Sequence, residues 1–375
     1  MAVVAGSSVT IDDPGALVRA LRDDGWRVIG PRLGDGAIVY DEISEPDDLP
    51  RGITDEQEGG HYRLREGRVG RWFDYVVGPQ SWKKWLFPAR QKLWSARKSE
   101  DGFNVEPATE TWPKTAFFGV RACEIAAMEV QDRVFDNGDF SDPGYGHRRA
   151  QTLIVAVQCA RSAATCFCAS MNTGPRAGSG FDIALTELDE TTEGAFLVEC
   201  GSARGAAILE RMETQEPQKQ HLEAAKAATR NAAESQTRAI AANVPDLLRG
   251  ALDHPNWEVV AERCLSCANC TLACPTCFCS DVTDINDLTG DHTERWRNWD
   301  SCFSVDFSYV HGGPVRRSTT SRYRQWLTHK LSTWHDQFGT SGCVGCGRCI
   351  AWCPVGIDIT AEAALFAEPP EESGD

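Results

Sequence analysis

The chain lacks most of the patterns that announce a substrate site. It has no G-x-G-x-x-G and no G-x-x-x-x-G-K-[ST], so neither loop that cradles a nucleotide is signalled. Its eight histidines are scattered, with no H-x-x-x-H or H-E-x-x-H pair of the kind that binds zinc on a helix. The paired C-x2-C motifs that hold a nickel–iron centre, one near each chain end, are missing as well. No apolar run is long enough to cross a bilayer, so no membrane association is expected. The opening Met1-Ala-Val-Val-Ala-Gly-Ser-Ser8 has neither a basic region nor a long apolar core, which argues against a signal peptide. Positive charge is in deficit. A net charge of −16 speaks against nucleic acid as a partner and suits a protein that docks on selected patches.

Cysteine is in excess, with sixteen in 375 residues. Without a secretion signal, metal or redox use is a better reading than disulfides, and the expected compartment is the cytoplasm. Eight of the sixteen fall in two runs, Cys264-Leu-Ser-Cys267-Ala-Asn-Cys270-Thr-Leu-Ala-Cys274-Pro275 and Cys343-Val-Gly-Cys346-Gly-Arg-Cys349-Ile-Ala-Trp-Cys353-Pro354. Both read C-x2-C-x2-C-x3-C-P, the bacterial ferredoxin run. Three closely spaced thiolates wrap one face of a cubane, and the fourth ligates the other cluster. Cluster one is therefore assigned to Cys264, Cys267, Cys270 and Cys353. Cluster two is assigned to Cys343, Cys346, Cys349 and Cys274. Structural zinc also uses C-x2-C pairs, but has no use for the third C-x2 step or the C-P ending. Two [4Fe–4S] clusters are expected.

The rest of the chain supplies a frame. Asp12 or Asp13 caps a helix with Pro14 in its first turn, and Trp26-Arg-Val-Ile reads as a strand. Residues 41–60 read as loop or short hairpin. Residues 79–94 form a basic and aromatic island, read as a buried aromatic stripe with solvated lysines. Buried strands at 115–120 and 153–157 alternate with a helix at 124–135, and further strands follow at 181–185 and 195–199. This predicts an α/β N-terminal domain over 1–215 with a candidate iron–sulfur site of its own. Residues 204–242 read as helix, bridging the domains through a helical linker at 216–250. The 68 residues between the two cysteine runs suit a C-terminal α-helical ferredoxin-type dicluster domain over 251–367. The acidic tail 368–375 is expected to be disordered. The basic stretch 316–330 either offsets the negative charge of a cluster or is an ordinary solvated helix.

Eight cysteines remain. Cys123, Cys159, Cys166 and Cys168 follow two strands, at the edge of an open α/β sheet where ligands bind. A third [4Fe–4S] cluster is expected there, against the alternative of buried unligated thiols. Thr165-Cys-Phe-Cys168 recurs as Thr276-Cys-Phe-Cys279. With Cys302, the second copy leaves three readings open: a further metal site, support for cluster two, or thiol exchange. Cys200 reads as core.

The ordered set Phe118-Gly-Val-Arg-Ala-Cys-Glu124, Cys159 with Thr165–Cys168, Cys274-Pro-Thr-Cys-Phe-Cys279, Trp299-Asp-Ser-Cys302 and Gly342–Cys349 resembles the beta subunit of cytoplasmic nickel–iron sulfhydrogenases, the NAD(P)-linked hydrogenases. It is also similar to the A subunit of anaerobic sulfite reductase. The match runs from about Pro79 to Ile359. The resemblance implies an electron-transfer subunit with no catalytic residues of its own. Its partners would be a flavin subunit that handles NAD(P)H and the small and large hydrogenase subunits. In the second family the same part would serve a sulfite reductase. A stand-alone iron–sulfur enzyme using Thr-Cys-Phe-Cys for thiol–disulfide chemistry is the other class. One residue departs from the family, which usually has Asp where this chain has Glu124.

Overall fold

The computed structural model describes residues 3–109, 111–189, 192 and 195–367, and the tail expected to be disordered lies outside them. In chain order the strands are β1 (Ser8–Ile11), β2 (Arg27–Gly34), β3 (Ala37–Glu42), β4 (Ile53–Glu58), β5 (His61–Glu66), β6 (Arg90–Ser99), β7 (Gly102–Pro107), β8 (Thr115–Val120), β9 (Thr152–Val157), β10 (Ile183–Glu187), β11 (Phe196–Cys200), β12 (Ser280–Asn286) and β13 (His292–Trp299). Seven form one sheet in the order β1-β11-β10-β9-β8-β2-β3. Its centre, β2-β8-β9-β10, is parallel. Its edges are antiparallel. The N-terminal region is thus a mixed, strand-rich α/β arrangement and not the simple α/β domain expected.

The central strands are buried on both faces, so their sequences are continuous apolar runs. Their period of two still sorts the side chains. Phe118, Leu153, Val155 and Val157 join one core cluster beneath the Pro14–Asp23 helix. Phe117, Ile154 and Ala156 join a second, with Trp82, Phe87 and the Ala122–Phe135 helix. The first helix starts as its sequence indicates: Asp13 accepts from the Gly15 N–H at 2.8 Å and Pro14 follows the cap.

The C-terminal segment is not purely helical. The β12–β13 hairpin pairs through β13 with β6, making a sheet β12-β13-β6-β7. Cross-strand Arg295–Asp284 contacts at 2.7 Å and the stacking of Arg295 over Trp94 tie its strands together. A boundary near residue 250 is therefore a boundary in sequence that this sheet crosses in space. Residues 204–242 also differ from one helix: the helices are Ala203–Leu209 and Lys219–Glu234, separated around Pro217. Among the described residues, no helix is long and apolar enough to cross a membrane.

Each cysteine run carries a four-residue helix, Asn269–Leu272 in the first and Arg348–Ala351 in the second. The two runs share an unusual trace. Ser266 and Ala268 have positive φ in the first, and Gly345 and Gly347 in the same places in the second. The left-handed turn disfavours side chains, yet only the second run needs glycine. There the loop 165–168 lies directly against it. A Cβ on Gly345 would meet the Cys168 backbone at 2.6 Å, and one on Gly347 would meet the Thr165 carbonyl oxygen at 2.3 Å. Phe167 N–H donates to the Gly345 carbonyl at 2.9 Å across the same seam. Gly345→Ala should therefore destabilise the protein by about 2–3 kcal/mol, combining left-handed strain with separation of the two loops. Ser266→Ala, at the matching position of the first run, should cost under about 1 kcal/mol. Denaturant midpoints of the two variants check this contrast.

Candidate iron–sulfur centres

Cys264, Cys267, Cys270 and Cys353 line one cavity, with Cys349, Phe303, Tyr323 and Trp326 around them. The fourth cysteine of the second run thus stands with the first three of the first run. Cys267 is exposed and Leu265 is 63% exposed, so the cavity reaches the surface. Tyr323 Oη and Trp326 Nε1 are buried donors with no hydrogen-bond partner. Two orphaned donors on the wall of a thiol-lined apolar cavity fit a group rich in acceptor sulfur, as an iron–sulfur cluster is.

The second set gathers at the other end of the exchange. Cys274, the last cysteine of the first run, lies within electrostatic reach of Cys343, Cys346 and Cys349. Burial pushes the Cys343 thiol up to about 12, so a thiolate there needs positive charge nearby. Lys330 supplies some. This buried side chain donates to Cys274 Sγ at 3.2 Å, to Thr276 Oγ1 at 3.0 Å and to the Gly342 carbonyl at 3.1 Å. It comes from a π-helical turn, His329–Thr333, inserted after the Thr319–Thr328 helix. Such a turn rotates the side chain relative to the regular helix and is often found where function demands it. Backbone N–H groups meet sulfur at equivalent places in both runs, Ser266 to Cys264 at 3.5 Å and Gly345 to Cys343 at 3.4 Å.

Cys123, Cys159, Cys166 and Cys168 are all buried. β8 and β9 are parallel neighbours, and Cys123 and Cys159 follow their C-terminal ends. Cys166 lies within reach of Cys168 and Cys159, and Cys123 within reach of Cys168. Burial pushes the Cys168 thiol up to about 12. Arg121, also buried, places Nη1 3.9 Å from Cys159 Sγ, while Gln236 Nε2 donates to Cys168 Sγ at 3.2 Å. Cys346 of the second set adjoins both Cys123 and Cys168.

The three cysteines left open by sequence lie beside Cys274 and Lys330. Cys277 contacts Cys274, and Cys279 contacts Cys302. The neighbouring Cys302 holds the Cys279 thiol down to about 7. Among the described residues, no three His, Cys, Asp or Glu side chains, these three included, are grouped to hold a single metal ion. Lys83, read as solvated, is instead buried: it donates to the Cys277 carbonyl at 3.2 Å and stacks on Trp299 at 4.0 Å. Cys200 is core, as read, and isolated from these groups.

Sequence reasoning missed the pair that locks the sets together. Arg348, between Cys346 and Cys349, is fully buried and donates to Glu124 at 2.5 Å. Glu124 also accepts from Tyr40 at 2.9 Å, Trp82 Nε1 at 3.0 Å and the Arg121 N–H at 3.2 Å. The carboxylate that differs from the family's usual Asp is thus saturated by these four donors. Arg348 further donates to the Gly78 and Gln80 carbonyls at 2.9 Å. The signal was present in sequence as a charged residue inside each of two cysteine motifs, but nothing there joined them.

A chain with two thiol sets on interchanged ferredoxin runs defines a class, and residues 263–357 match the family described as 4Fe-4S dicluster domain. The whole chain goes further. It is 32% identical over 343 residues to sulfhydrogenase 2 subunit beta of Pyrococcus furiosus, covering 88% of this chain and 90% of that protein. It belongs to the family of sulfhydrogenase beta subunits. No solved structure matches it.

Breaking a buried ion pair on one side leaves the other charge uncompensated. Glu124→Gln should therefore lower stability by about 3–5 kcal/mol. The measurement is chemical denaturation of the anaerobically purified protein. A change below about 1 kcal/mol would show that the pair does not carry the junction.

Proposed function

We propose that this chain is the electron-transfer subunit of a cytoplasmic hydrogenase complex. It would pass electrons between a flavin subunit that handles NAD(P)H and the small and large hydrogenase subunits. The observation that carries the reading is the succession of three thiol sets within one body. Cys270 and Cys349 lie within reach of one another between the first and second sets, and Cys346 adjoins Cys123 and Cys168 between the second and third. In this reading Cys264, Cys267, Cys270 and Cys353 hold cluster one, Cys274, Cys343, Cys346 and Cys349 hold cluster two, and Cys123, Cys159, Cys166 and Cys168 hold a third. When bound, [4Fe–4S] clusters supply one-electron exchange at potentials set by charge, hydrogen bonds and exposure.

The residues grade those conditions along the succession. The first set is walled by Phe303, Tyr323 and Trp326 and opens at exposed Cys267. Exposed Leu265, Leu272 and Val355 nearby offer apolar surface for a partner subunit. The second set has the Lys330 ammonium on one thiolate, and the third has the Arg121 guanidinium and the Gln236 amide. Fixed cations next to a net-anionic centre favour its reduced form. The membership in a sulfhydrogenase family supports hydrogenase subunits as the partners.

Iron analysis of anaerobically purified protein tests the assignments. About twelve irons per chain are expected, four for each set, falling by about four in Cys166→Ser while both ferredoxin-type signals persist. Cys274→Ser should remove cluster two and spare cluster one. Zinc at two per chain with little iron would sink the reading, and loss of cluster one alone in Cys274→Ser would sink the interchange of fourth ligands.

The Lys330 contact gives a second test. Lys330→Met should move the midpoint potential of cluster two to a more negative value and leave cluster one in place, because one compensating charge is lost beside Cys274 only. Potentiometric titration followed by electron paramagnetic resonance reads both, and equal shifts at the two centres would count against the contact as the cause.

A further inference from the structure

Three thiols next to the proposed relay have no part in it. Cys277 faces Cys274, which is committed to the second set. Cys279 and Cys302 are left with each other. The β12–β13 hairpin brings them together: Ser280 pairs with Trp299 at its base, and one step further the Asp300 N–H donates to the Cys279 carbonyl at 2.9 Å. Cys302 follows two residues after Asp300 and packs in the same cluster as Cys279. Phe278, just before the hairpin, packs edge-on against Phe135 and Trp334. Cys279 is partly buried and keeps some access to solvent, whereas Cys302 is buried. One accessible thiol backed by one enclosed thiol is the arrangement of an attacking and a resolving cysteine.

We propose that Cys279 and Cys302 form a thiol–disulfide exchange site that takes a low-molecular-weight disulfide as its oxidant. The Cys279 thiolate attacks one sulfur of the small disulfide, whose S–S bond breaks and releases one thiolate. This leaves a mixed disulfide on Cys279. The Cys302 thiol gives its proton to the released thiolate, and its sulfur attacks the Cys279 sulfur. The mixed disulfide breaks and releases the second small thiolate, which takes up a proton from water. Two protein thiols are oxidised to one intramolecular disulfide, and one small disulfide is reduced to two thiols. A dithiol runs the sequence backwards. The closed bond ties the base of the hairpin beside Cys270 and Lys330, the neighbours of Cys302 in the first and second sets. The chemistry does not depend on the iron assignments.

The test uses the full chain, purified without oxygen, treated with 2-hydroxyethyl disulfide at neutral pH, blocked with iodoacetamide, digested and mapped by mass spectrometry, with iron measured in parallel. The expected result is a Cys279–Cys302 linked peptide at unchanged iron content, reopened by dithiothreitol. Cys302→Ser should trap the hydroxyethyl mixed disulfide on Cys279, and Cys279→Ser should leave Cys302 alkylated only. Loss of about four irons in either variant would make the two residues cluster ligands and overturn the proposal. So would carboxamidomethylation of both after treatment, or linkage of either to Cys277. A wild-type chain without iron would defeat the relay while leaving the linked peptide to be judged separately.

Discussion

The junction of this protein rests on one buried ion pair. Glu124 begins the helix that follows β8, and Arg348 sits inside the second cysteine run. Both are buried: Glu124 accepts from four donors, and Arg348 donates to Glu124 and to two backbone carbonyls. A pair of this kind adds little net stability compared with well-packed apolar residues, but it is unforgiving of misplacement, because either charge alone is costly. It therefore acts mainly as a register mark. Cys346, two residues before Arg348, stands beside Cys123 and Cys168, so one seam places both the guanidinium and that thiol.

A second constraint follows from burial. Thiols enclosed in apolar surroundings resist ionisation, and Cys168 and Cys343 are both pushed well above their ordinary range. A cluster held there would need thiolates, whose charge the metal itself and fixed cations would compensate. Lys330 and Arg121 are those cations for the second and third sets. The first set has aromatic walls and an open edge instead. The chain thus uses different means to hold negative charge at successive depths.

Much of this was legible in the cysteine spacing. The interchange of Cys274 and Cys353 was read from the reach of a C-x2-C-x2-C loop, and Cys353 lines one cavity with Cys264, Cys267 and Cys270. The edge rule for parallel strands placed Cys123 and Cys159 together, because β8 and β9 are buried apolar runs that read plainly. What did not read was long-range and polar. Lys330 looked like one cation in a basic helix, since a π turn leaves no mark in composition. Lys83 looked solvated, since nothing nearby in sequence announces the carbonyls it meets. The β12–β13 hairpin was taken into a helical domain because its strands are half-exposed and rich in charge, and its pairing partner β6 lies nearly two hundred residues earlier. The antiparallel edges of the main sheet were obscured in the same way.

The order in which these parts leave the ribosome has a consequence. Glu124 and Arg348 are 224 residues apart, and Cys353 emerges after both. At about 5–20 residues per second, the carboxylate waits roughly ten to forty-five seconds for its guanidinium. During that interval Cys264, Cys267 and Cys270 are already synthesised without their fourth companion, and Cys274 without its triplet. With the fourth ligands interchanged as proposed, neither ferredoxin-type donor set can be completed on the growing chain until the second run has appeared. Iron delivered before that point would meet incomplete donor sets, so loading of either set would wait for the second run.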